Sequence, residues 1–287
     1  MLYLCATPIG NLEDITIRVL RVLAEADLIA AEDTRHTRKL LTHYDIRTRL
    51  VSYHEHSPRS RLASLIDIML QDKTIAFVSD AGTPAISDPG RDLVRACYEA
   101  GVKVTCCPGA CALPTALALS SFSADEAVFE GFLPRDKHHR ARRIESLGRE
   151  PRTTVIYESP HRVAHLLREL EAVTEGGRKV AVLGELTKLH ERADIGEISE
   201  ILKLFEGRNV KGEFAVVLEG IGRRRATELE SADLNANFSD IPIHSHVLMH
   251  QKNGLSKMQA IKAAAKERGV SKAVVYNAIL ESEGDNA

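Results

Sequence analysis

The stretch "KTIAFVSDAGTPAISDPG", residues 73–90, joins an apolar run to a loop that is dense in turn-forming residues. Residues 73–79 predict a buried strand. The last fifteen residues of the stretch hold two Pro, two Gly and two Asp. Asp88 as an N-cap and Pro89 at the first helical position predict a helix that stops at Gly101. This strand–loop–helix unit indicates an α/β fold, and so elaborate a loop indicates a bound ligand.

The same unit recurs along the chain. Strands are predicted at 2–6, 27–33, 48–53, 102–107, 153–159, 179–186 and 212–220. Helices are predicted at 15–25, 61–71, 161–173 and 197–206. Alternating strands and helices at this spacing imply parallel strands with crossover helices. A polar, basic segment at 134–151 interrupts the alternation, which then resumes.

The domain prediction follows from these shifts in pattern. We expect an N-terminal α/β domain at 1–120 and a C-terminal α/β domain at 121–222. A polar linker at 223–240 and a small helical module at 241–287 complete the chain. In the module, Ser256 and Gln259 predict a capping box, Gly269 a helix stop, and Ser271 the cap of a further helix.

The composition of the chain limits the kinds of protein that it can be. The chain has 287 residues, of which 44% are hydrophobic and 27% charged, which is typical of a globular protein. The net charge of −2 excludes a global basic field, although a local patch can still bind nucleic acid. No run approaches a membrane span, and the first residues lack a signal peptide pattern, so we expect a cytoplasmic protein without membrane contact. Five Cys without CxxC spacing predict free thiols and no metal.

Small, kinked loops follow three predicted strands of the first half: "TPIGN" (7–11), residues 79–90 and "PGACA" (108–112). Ligands of open α/β sheets bind at the carboxyl ends of strands. No GxGxxG is present, and residues 207–214 have Glu213 where a P-loop requires Lys, so the expected ligand carries little phosphate. The alternative is that these loops are only tight turns between strands and helices.

Seven motifs together resemble the tetrapyrrole methylase superfamily, and within it the enzymes that methylate ribosomal RNA. They are "ATPIGNLEDIT", "AAEDTRHTRKLL", "SDAGTPAISDPG", "FEGFLP", "YESPHR", "ELTKLHE" and "KGEFAVVLEG". The resemblance covers about residues 2–220 and, more weakly, the helical module. It implies two α/β domains with a cofactor cleft between them, S-adenosylmethionine as the methyl donor and a homodimer. The implied acceptor is the 2′-hydroxyl of a cytidine in the decoding region of small-subunit rRNA.

The resemblance also implies cofactor-binding residues. They are Pro8, Asp80, Ala81, Gly82, Thr83, Ile86, Cys111, Ala112, Glu158 and Ala215. This chain departs from the superfamily in having Thr83 where relatives carry Asp, and Asp80 is the nearest carboxylate. It also has Ala110 where Pro is frequent and Gly184 where Arg is common, and the second change could remove a substrate or structural contact.

Transfer to a ribose hydroxyl needs in-line geometry and a group that takes its proton or stabilises the alkoxide. Lys188 and Glu185 in "GELTK" are the candidates on the acceptor side of the cleft, with Asp33 as a further candidate acid. The alternative for Lys188 is a surface ion pair with Glu185 or Glu191. The alternative for Asp33 is the N-cap of a helix.

Basic residues in three places are candidates for RNA contact. They are Arg35 and His36, then Arg140, Arg142 and Arg143 in the basic segment, and Arg162. Arg and Lys there would bind RNA through its phosphates. A solvated loop between domains is the alternative for the basic segment. Salt bridging is the alternative for Arg162. Lysines of the helical module could contact RNA or pack on the body of the protein or on a partner subunit.

Two other functions compete with RNA methylation. A methylase of a small tetrapyrrole would not need the basic segment or the helical module. A non-catalytic RNA-binding factor of ribosome assembly would not bind S-adenosylmethionine, so calorimetry with the cofactor separates it from both enzymes.

Overall fold

The first half of the chain forms a five-stranded, fully parallel sheet. The computed structural model describes residues 1–86, 90–174, 176–207, 210–229 and 241–284. The strands are β1 (Leu2–Cys5), β2 (Leu28–Ala31), β3 (Leu50–Ser52), β4 (Ile75–Val78) and β5 (Val104–Cys107), in the order β3-β2-β4-β1-β5. Their carboxyl ends meet at one edge, and the three small loops follow β1, β4 and β5 there.

Four helices connect these strands: α1 (Ile17–Glu25), α2 (Thr34–His43), α3 (Arg59–Leu70) and α4 (Arg91–Glu99). Both faces of the sheet are buried, with Leu65 and Phe77 in the core on one side and Leu23 and Ile29 on the other. Continuous burial explains why β2 and β4 are apolar at every position.

Helix α4 begins at Arg91, with Gly90 as its N-cap at a φ of 128°. The predicted cap Asp88 and its neighbour Pro89 lie outside the described residues. A Cβ at position 90 would stand 2.4 Å from Cε1 of Phe77. Both the positive φ and the buried ring therefore require glycine at the end of this loop.

The second sheet has a different topology from the parallel one that the alternation predicts. Its strands are β6 (Ala127–Phe132), β7 (Thr153–Glu158), β8 (Lys179–Gly184), β9 (Arg192–Glu197) and β10 (Phe214–Leu218), in the order β6-β7-β10-β8-β9. Of the described pairs only β6–β7 is parallel. Strand β9 was missed because it alternates half-buried and exposed residues and returns beside β8 as a hairpin, without a crossover helix.

Helices α5 (Ala112–Ser120), α6 (Lys137–Gly148), α7 (Val163–Val173) and α8 (Ile198–Phe205) accompany the second sheet. Helix α5 falls within the predicted N-terminal domain, but its buried Ala116 packs with Val155, Leu183 and Val217 of the second sheet. The basic segment is the helix α6 and not the solvated loop considered as an alternative.

The chain divides into two compact units. The first holds both sheets and consists of residues 1–145 and 153–219, and the second consists of 146–152 and 220–287. Of the predicted linker, residues 223–229 are helical, and 230–240 lie outside the described residues. Within the described parts of both units, no helix has the length and apolar character needed to cross a membrane.

The C-terminal module contains three helices: α9 (Ile243–Lys252), α10 (Lys257–Glu267) and α11 (Lys272–Gly284). They share a small core that includes Val247, Ile261, Ala264, Val275 and Ile279. The predicted capping box of Ser256 and Gln259 is confirmed at the start of α10. Gly269 has a φ of 63° after α10, and the Ser271 hydroxyl accepts from the Val274 N–H at 3.4 Å.

A buried polar cluster ties α9 to the end of α10. Nε2 of His246 and Nε2 of His250 lie 2.8 and 2.9 Å from the same oxygen of Glu267. Arg268 Nε donates to Nδ1 of His246 at 3.1 Å. Because arginine keeps its protons, Nδ1 must accept and the proton of a neutral His246 sits on Nε2. That tautomer suits a hydrogen bond to Glu267 and opposes binding of a cation at the same nitrogen.

Candidate active site

A cleft of about 500 Å³ opens between the two sheets of the first unit. Its walls come from the loops at the carboxyl ends of β1, β2, β4 and β5, and from the ends of strands β6, β7, β8 and β10. Apolar side chains such as Ile9, Ile86 and Leu186 share it with the acidic Glu32 and Asp80. Lys188 is the one cation among the described residues that line the cleft.

The loop after β4 is fixed by bonds to its neighbours on both sides. The N–H of Thr7 donates to Gly82 O at 2.9 Å, and that of Gly82 to Thr7 O at 3.0 Å. The Thr83 hydroxyl donates to Ala110 O at 3.3 Å. Asp80 Oδ1 accepts from the N–H of Asp33 at 3.1 Å. These hydrogen bonds join the loops after β1, β2, β4 and β5 into one continuous edge of the cleft, which we call the rim. The many turn-forming residues of the loop after β4 allow the backbone path that these bonds require.

Gly82 lies in this rim with a backbone conformation that favours glycine. Its φ is 78°, and a Cβ there would lie 3.3 Å from Cγ2 of Ile9. Ala85 also adopts a positive φ, of 67°. An unusual backbone of this kind is held only where the surroundings fix it, and it leaves Gly82 open on the cleft side.

The cleft gathers nine of the ten residues proposed for the cofactor: Asp80, Ala81, Gly82, Thr83, Ile86, Cys111, Ala112, Glu158 and Ala215. Pro8 is not among the lining residues. Whether these side chains bind a cofactor stays a prediction. For Glu158 the carboxylate is 2% exposed and is used within the protein, because it accepts from the Ser159 N–H at 2.9 Å and pairs with Arg140. Any ligand contact at this position therefore falls to its backbone.

The short loop between β8 and β9 carries the two main candidates for catalysis. Lys188 Nζ lies 2.9 Å from Oε1 of Glu185, and this hydrogen bond is the main cause that lowers the pKa of the Glu185 carboxyl. The pair corresponds to the alternative of an ion pair, but it lies in the cleft, with the Lys188 side chain 34% exposed. The ion pair is thus present, and a catalytic role for Lys188 stays a prediction.

Two glycines from other segments make room for this loop. A Cβ on Gly212 would fall 1.9 Å from Oε1 of Glu185. A Cβ on Gly10 would lie 2.5 Å from Cγ of Lys188 and 2.7 Å from the carbonyl oxygen of Leu186. The loop itself has φ values of 53° at Glu185 and 64° at Thr187, which is rare for a β-branched residue. The positions of Glu185 and Lys188 therefore depend on close contact with the loop after β1.

The structure supports the N-cap alternative for Asp33, and its candidacy in catalysis stays a prediction. Its carboxylate caps α2 by accepting from the Arg35 N–H at 2.7 Å, and it pairs with the Arg35 side chain at 2.8 Å. The bonds from Arg35 hold the pKa of Asp33 well below its usual range. So weak a base is unsuited to take a proton. The neighbouring Glu32 lines the cleft instead.

The three arginines of helix α6 proposed to bind RNA differ in their exposure and in their partners. Arg140 is buried, with Nε and Nη2 bound to Glu169 and Nη2 3.5 Å from Glu158. Arg143 pairs with Glu130. Arg142 is exposed. Arg140 is therefore unavailable to phosphates, and the candidate patch on this helix reduces mainly to Arg142.

The other candidates for RNA contact lie on the surface. The Arg35 side chain is 89% exposed although paired with Asp33, and His36 next to it is exposed. Arg162 Nε is 3.6 Å from Oε1 of Glu158, which supports the salt-bridging alternative for Arg162. None of these side chains is among those that line the cleft, so they remain candidates for RNA outside it.

Phe132, Tyr157 and Glu213 also line the cleft but were not predicted. Phe132 is 62% exposed at the end of β6, and its ring meets that of Tyr157 edge to face at 5.9 Å. A signal existed in the sequence, since both aromatic residues stand in motifs at strand ends, "FEGFLP" and "YESPHR".

Gly184, one of the departures from the superfamily pattern, has a packing explanation. A Cβ there would stand 2.6 Å from Cε1 of Phe214. Arg192 is its partner across the β8–β9 ladder, and its guanidinium lies 5.0 Å from the centre of the Phe205 ring. A side chain at position 184 would collide with these neighbours.

Comparison with known proteins identifies the relatives of this arrangement. The chain is 43% identical over 276 residues to ribosomal RNA small subunit methyltransferase I of Halalkalibacterium halodurans, covering 96% of this chain and 93% of that protein. It is 40% identical to the proteins of the same name from Synechocystis sp., over 99% of both chains, and from Bacillus subtilis, over 97% and 93%.

Solved structures show the same fold at lower identity. A cobalt precorrin-4 methyltransferase aligns with a TM-score of 0.58 at 14% identity, over 76% of this chain and 94% of that one. The uroporphyrin-III-C-methyltransferase from Thermus thermophilus aligns with a TM-score of 0.53 at 21% identity, over 75% and 93%. The family model described as Tetrapyrrole (Corrin/Porphyrin) Methylases matches residues 1–202. The chain therefore belongs to the tetrapyrrole methylase family, which confirms the resemblance and the expected fold.

Proposed function

We propose that this protein transfers a methyl group from S-adenosylmethionine to the 2′-hydroxyl of a cytidine in the decoding region of small-subunit rRNA. The observation that carries the proposal is the cleft between the two sheets, with its tied rim of loops and the Glu185–Lys188 pair. Relatives at 40–43% identity over nearly the whole chain are named for methylation of this RNA.

The residues present fit S-adenosylmethionine. Apolar groups at Ile9, Ile86 and Ala215 suit an adenine ring, and the open backbone at Gly82 admits a close ligand. The acidic side chains of Asp80 and Glu32 suit its cationic groups, and its single carboxylate needs none of the phosphate-binding loops that the sequence lacks. When bound, the cofactor supplies an electrophilic methyl group on a sulfonium.

The chain's own residues would act on the acceptor hydroxyl. The ammonium of Lys188, held by Glu185, places a positive charge where an alkoxide develops, and this favours the transition state more than the neutral ground state. We therefore assign Lys188 electrostatic stabilisation and orientation of the hydroxyl. Glu185 fixes Lys188, and we propose its carboxylate, which this pairing makes a weaker base, as the acceptor for the proton.

Variants of Lys188 test this assignment. Lys188→Ala should lower turnover about 10²-fold, the usual effect of removing one positioned donor. Affinity for cofactor and RNA should hardly move. Lys188→Arg should restore part of the rate if the role is electrostatic, and none if Lys188 must give up a proton, since Arg cannot. Lost RNA affinity at unchanged saturated turnover would make Lys188 a binding residue.

The acceptor is tested by methyl transfer from labelled cofactor. Small subunits, naked rRNA and a reduced tetrapyrrole are offered in parallel, and the modified nucleotide is mapped. We expect label at one cytidine 2′-oxygen. Label on the tetrapyrrole alone would identify the runner-up enzyme, and failure to bind cofactor by calorimetry would favour the non-catalytic assembly factor.

We also propose that the protein is a homodimer, as its resemblance implies. The two-sheet unit exposes large apolar side chains that a second copy would cover, among them Ile17, 86% exposed, and Leu189, 93% exposed. Light scattering should give twice the 31.6 kDa of one chain. Ile17→Asp and Leu189→Asp test whether these side chains lie in the interface, and a monomeric wild type would refute the proposal.

A further inference from the structure

The C-terminal module differs in charge from the rest of the protein. The module, residues 241–287, holds five Lys and one Arg against three Glu and one Asp, a formal net charge of +2 in a chain whose net charge is −2, and three of these acids stand in its last seven residues. Glu267 and Arg268 are used inside the module, where they bind the histidines of α9. The net positive charge of the module therefore resides on its surface lysines.

These lysines are free to meet a partner. Lys252, Lys262, Lys266 and Lys272 are exposed. Within the described residues, none of the four forms an ion pair. An exposed cationic surface of this kind attracts a polyanion and gains free energy by releasing its counterions. The partner that the charge favours is a nucleic acid.

Helices α10 and α11 form a helix–turn–helix with a groove between them. The four-residue turn from Arg268 to Ser271 contains Gly269 in the left-handed conformation. Val275 and Ile279, four residues apart on α11, face the core. The rest of the helix thus presents Lys272, Tyr276 and Asn277 to solvent.

The groove has a volume of about 570 Å³, and its lining combines an apolar floor of Met258, Ile261 and Ala273 with five polar or aromatic side chains. From α10 come Gln259 and Lys262, and from α11 come Lys272, Tyr276 and Asn277. Lysines bind phosphates, the Asn277 amide can form paired hydrogen bonds with a base edge, and an exposed tyrosine ring stacks on an unpaired base, whereas the Gln259 amide oxygen is engaged by Ser256 in the capping box. All five side chains are exposed, and the Tyr276 residue is 45% accessible.

We propose that the α10–α11 groove binds unpaired nucleotides of RNA, as a contact site separate from the cleft. The proposal rests on the proposed function for its choice of RNA over DNA. Unpaired nucleotides fit better than a duplex, because the major groove of an RNA helix is too deep and narrow for side chains to read, whereas unstacked bases reach an aromatic ring. In this arrangement the module adds affinity for RNA and takes no part in the chemistry.

The first test changes charge in the full-length protein. Lys262→Gln with Lys272→Gln should weaken binding of an rRNA fragment about 10-fold and lower the slope of log affinity against log salt by about 1.4, or about 0.7 for each lost contact. Lys203→Gln is the matched control, because Lys203 is an exposed lysine of helix α8 in the other unit. An unchanged salt slope in the double variant overturns the proposal.

The second test separates stacking from charge. Tyr276→Leu should lower affinity for an RNA with unpaired bases about 10-fold, and Tyr276→Phe should keep it, since a ring without the hydroxyl still stacks. A paired RNA of equal length should not respond to either. Equal loss for paired and unpaired RNA would show a purely electrostatic surface and overturn the assignment of unpaired nucleotides.

Methylation kinetics distinguish failure of this inference from failure of the proposed function. The groove variants should raise KM for the RNA substrate and leave kcat and cofactor affinity unchanged. If the wild type binds RNA through the groove but methylates no RNA, the proposed function is wrong and the inference that the groove binds RNA is supported. If the groove variants methylate RNA with an unchanged KM, the inference about the groove is wrong and the proposed function is supported.

Discussion

Gly10 offers a way to move the β8–β9 loop, which carries Glu185 and Lys188, without changing its charges. A Cβ at this position would stand 2.5 Å from Lys188 Cγ, 2.7 Å from the carbonyl oxygen of Leu186 and 2.8 Å from the Thr187 hydroxyl. Non-bonded contacts to carbon normally fall near 3.5–4.0 Å. Gly10→Ala must therefore displace the loop by about 1 Å, because the backbone carbonyl of Leu186 cannot rotate out of the way.

A displacement of that size has a predictable cost. Misplacing a positioned group by about 1 Å lowers turnover by about 10²-fold. Overpacking in a well-packed site also destabilises by about 1–3 kcal/mol, so the variant should still fold. We expect kcat to fall by about two orders of magnitude while the dissociation constant for S-adenosylmethionine changes less than threefold, roughly 0.7 kcal/mol. Steady-state methyl transfer and calorimetry measure the two quantities.

Gly176→Ala provides the matched control, because a Cβ at position 176 meets nothing within 4 Å. It should leave kcat and the melting temperature close to wild type. Full turnover in Gly10→Ala would refute the reasoning, since it would mean that the position of Lys188 does not matter or that the loop adapts freely. Loss of the fold itself would appear in the melting curve and be recognised as such.

Three further predictions concern other parts of the molecule. Gly82→Val, with its φ of 78° and Ile9 at 3.3 Å, should abolish cofactor binding in calorimetry while the circular dichroism spectrum stays native, and normal affinity would make this loop purely structural. Arg140→Met should lower the free energy of unfolding by about 1–3 kcal/mol because Glu169 loses its charge-assisted hydrogen bonds from the buried guanidinium, whereas the exposed Arg142→Met should cost under about 0.5 kcal/mol; equal denaturant midpoints would contradict this. His246 faces Glu267, Arg268 and His250, and burial is the main cause that lowers its pKa below the ordinary 6.5. The unfolded chain therefore takes up the proton first, and the module should lose stability as pH falls below about 6.5. A melting temperature that does not depend on pH, or a pH dependence that is unchanged in His246→Gln, would exclude this residue as the cause.

The sequence predicted most elements of the first sheet because their signals are local. Buried parallel strands such as β2 and β4 are apolar at every position and end in punctuated loops. The second sheet was predicted less well. A half-exposed hairpin strand such as β9 carries a weak hydrophobic signal, and only the pairing of β8 with β9 and β10 shows that this half is largely antiparallel.

Residues of the candidate site also differ in how well their positions could be predicted from the sequence. Gly82 and Asp80 were identifiable because turn chemistry and family motifs mark the loop itself. The burial of Arg140 was not, since its partners Glu158 and Glu169 lie 18 and 29 residues away along the chain. From sequence alone, a run of basic residues predicts a positively charged surface patch. Only the folded structure shows which of these residues form ion pairs inside the protein.

The loop between β8 and β9 shows why the role of its residues could not be assigned from their own sequence. "GELTK" suggested either a surface ion pair or a base, and the structure has the ion pair inside the cleft. What fixes the pair lies elsewhere in the chain, because Gly10 and Gly212 are the residues whose missing side chains leave room for Lys188 and Glu185. If positioning of Lys188 and Glu185 is a main catalytic contribution, these two glycines matter to the reaction as much as the charged pair does.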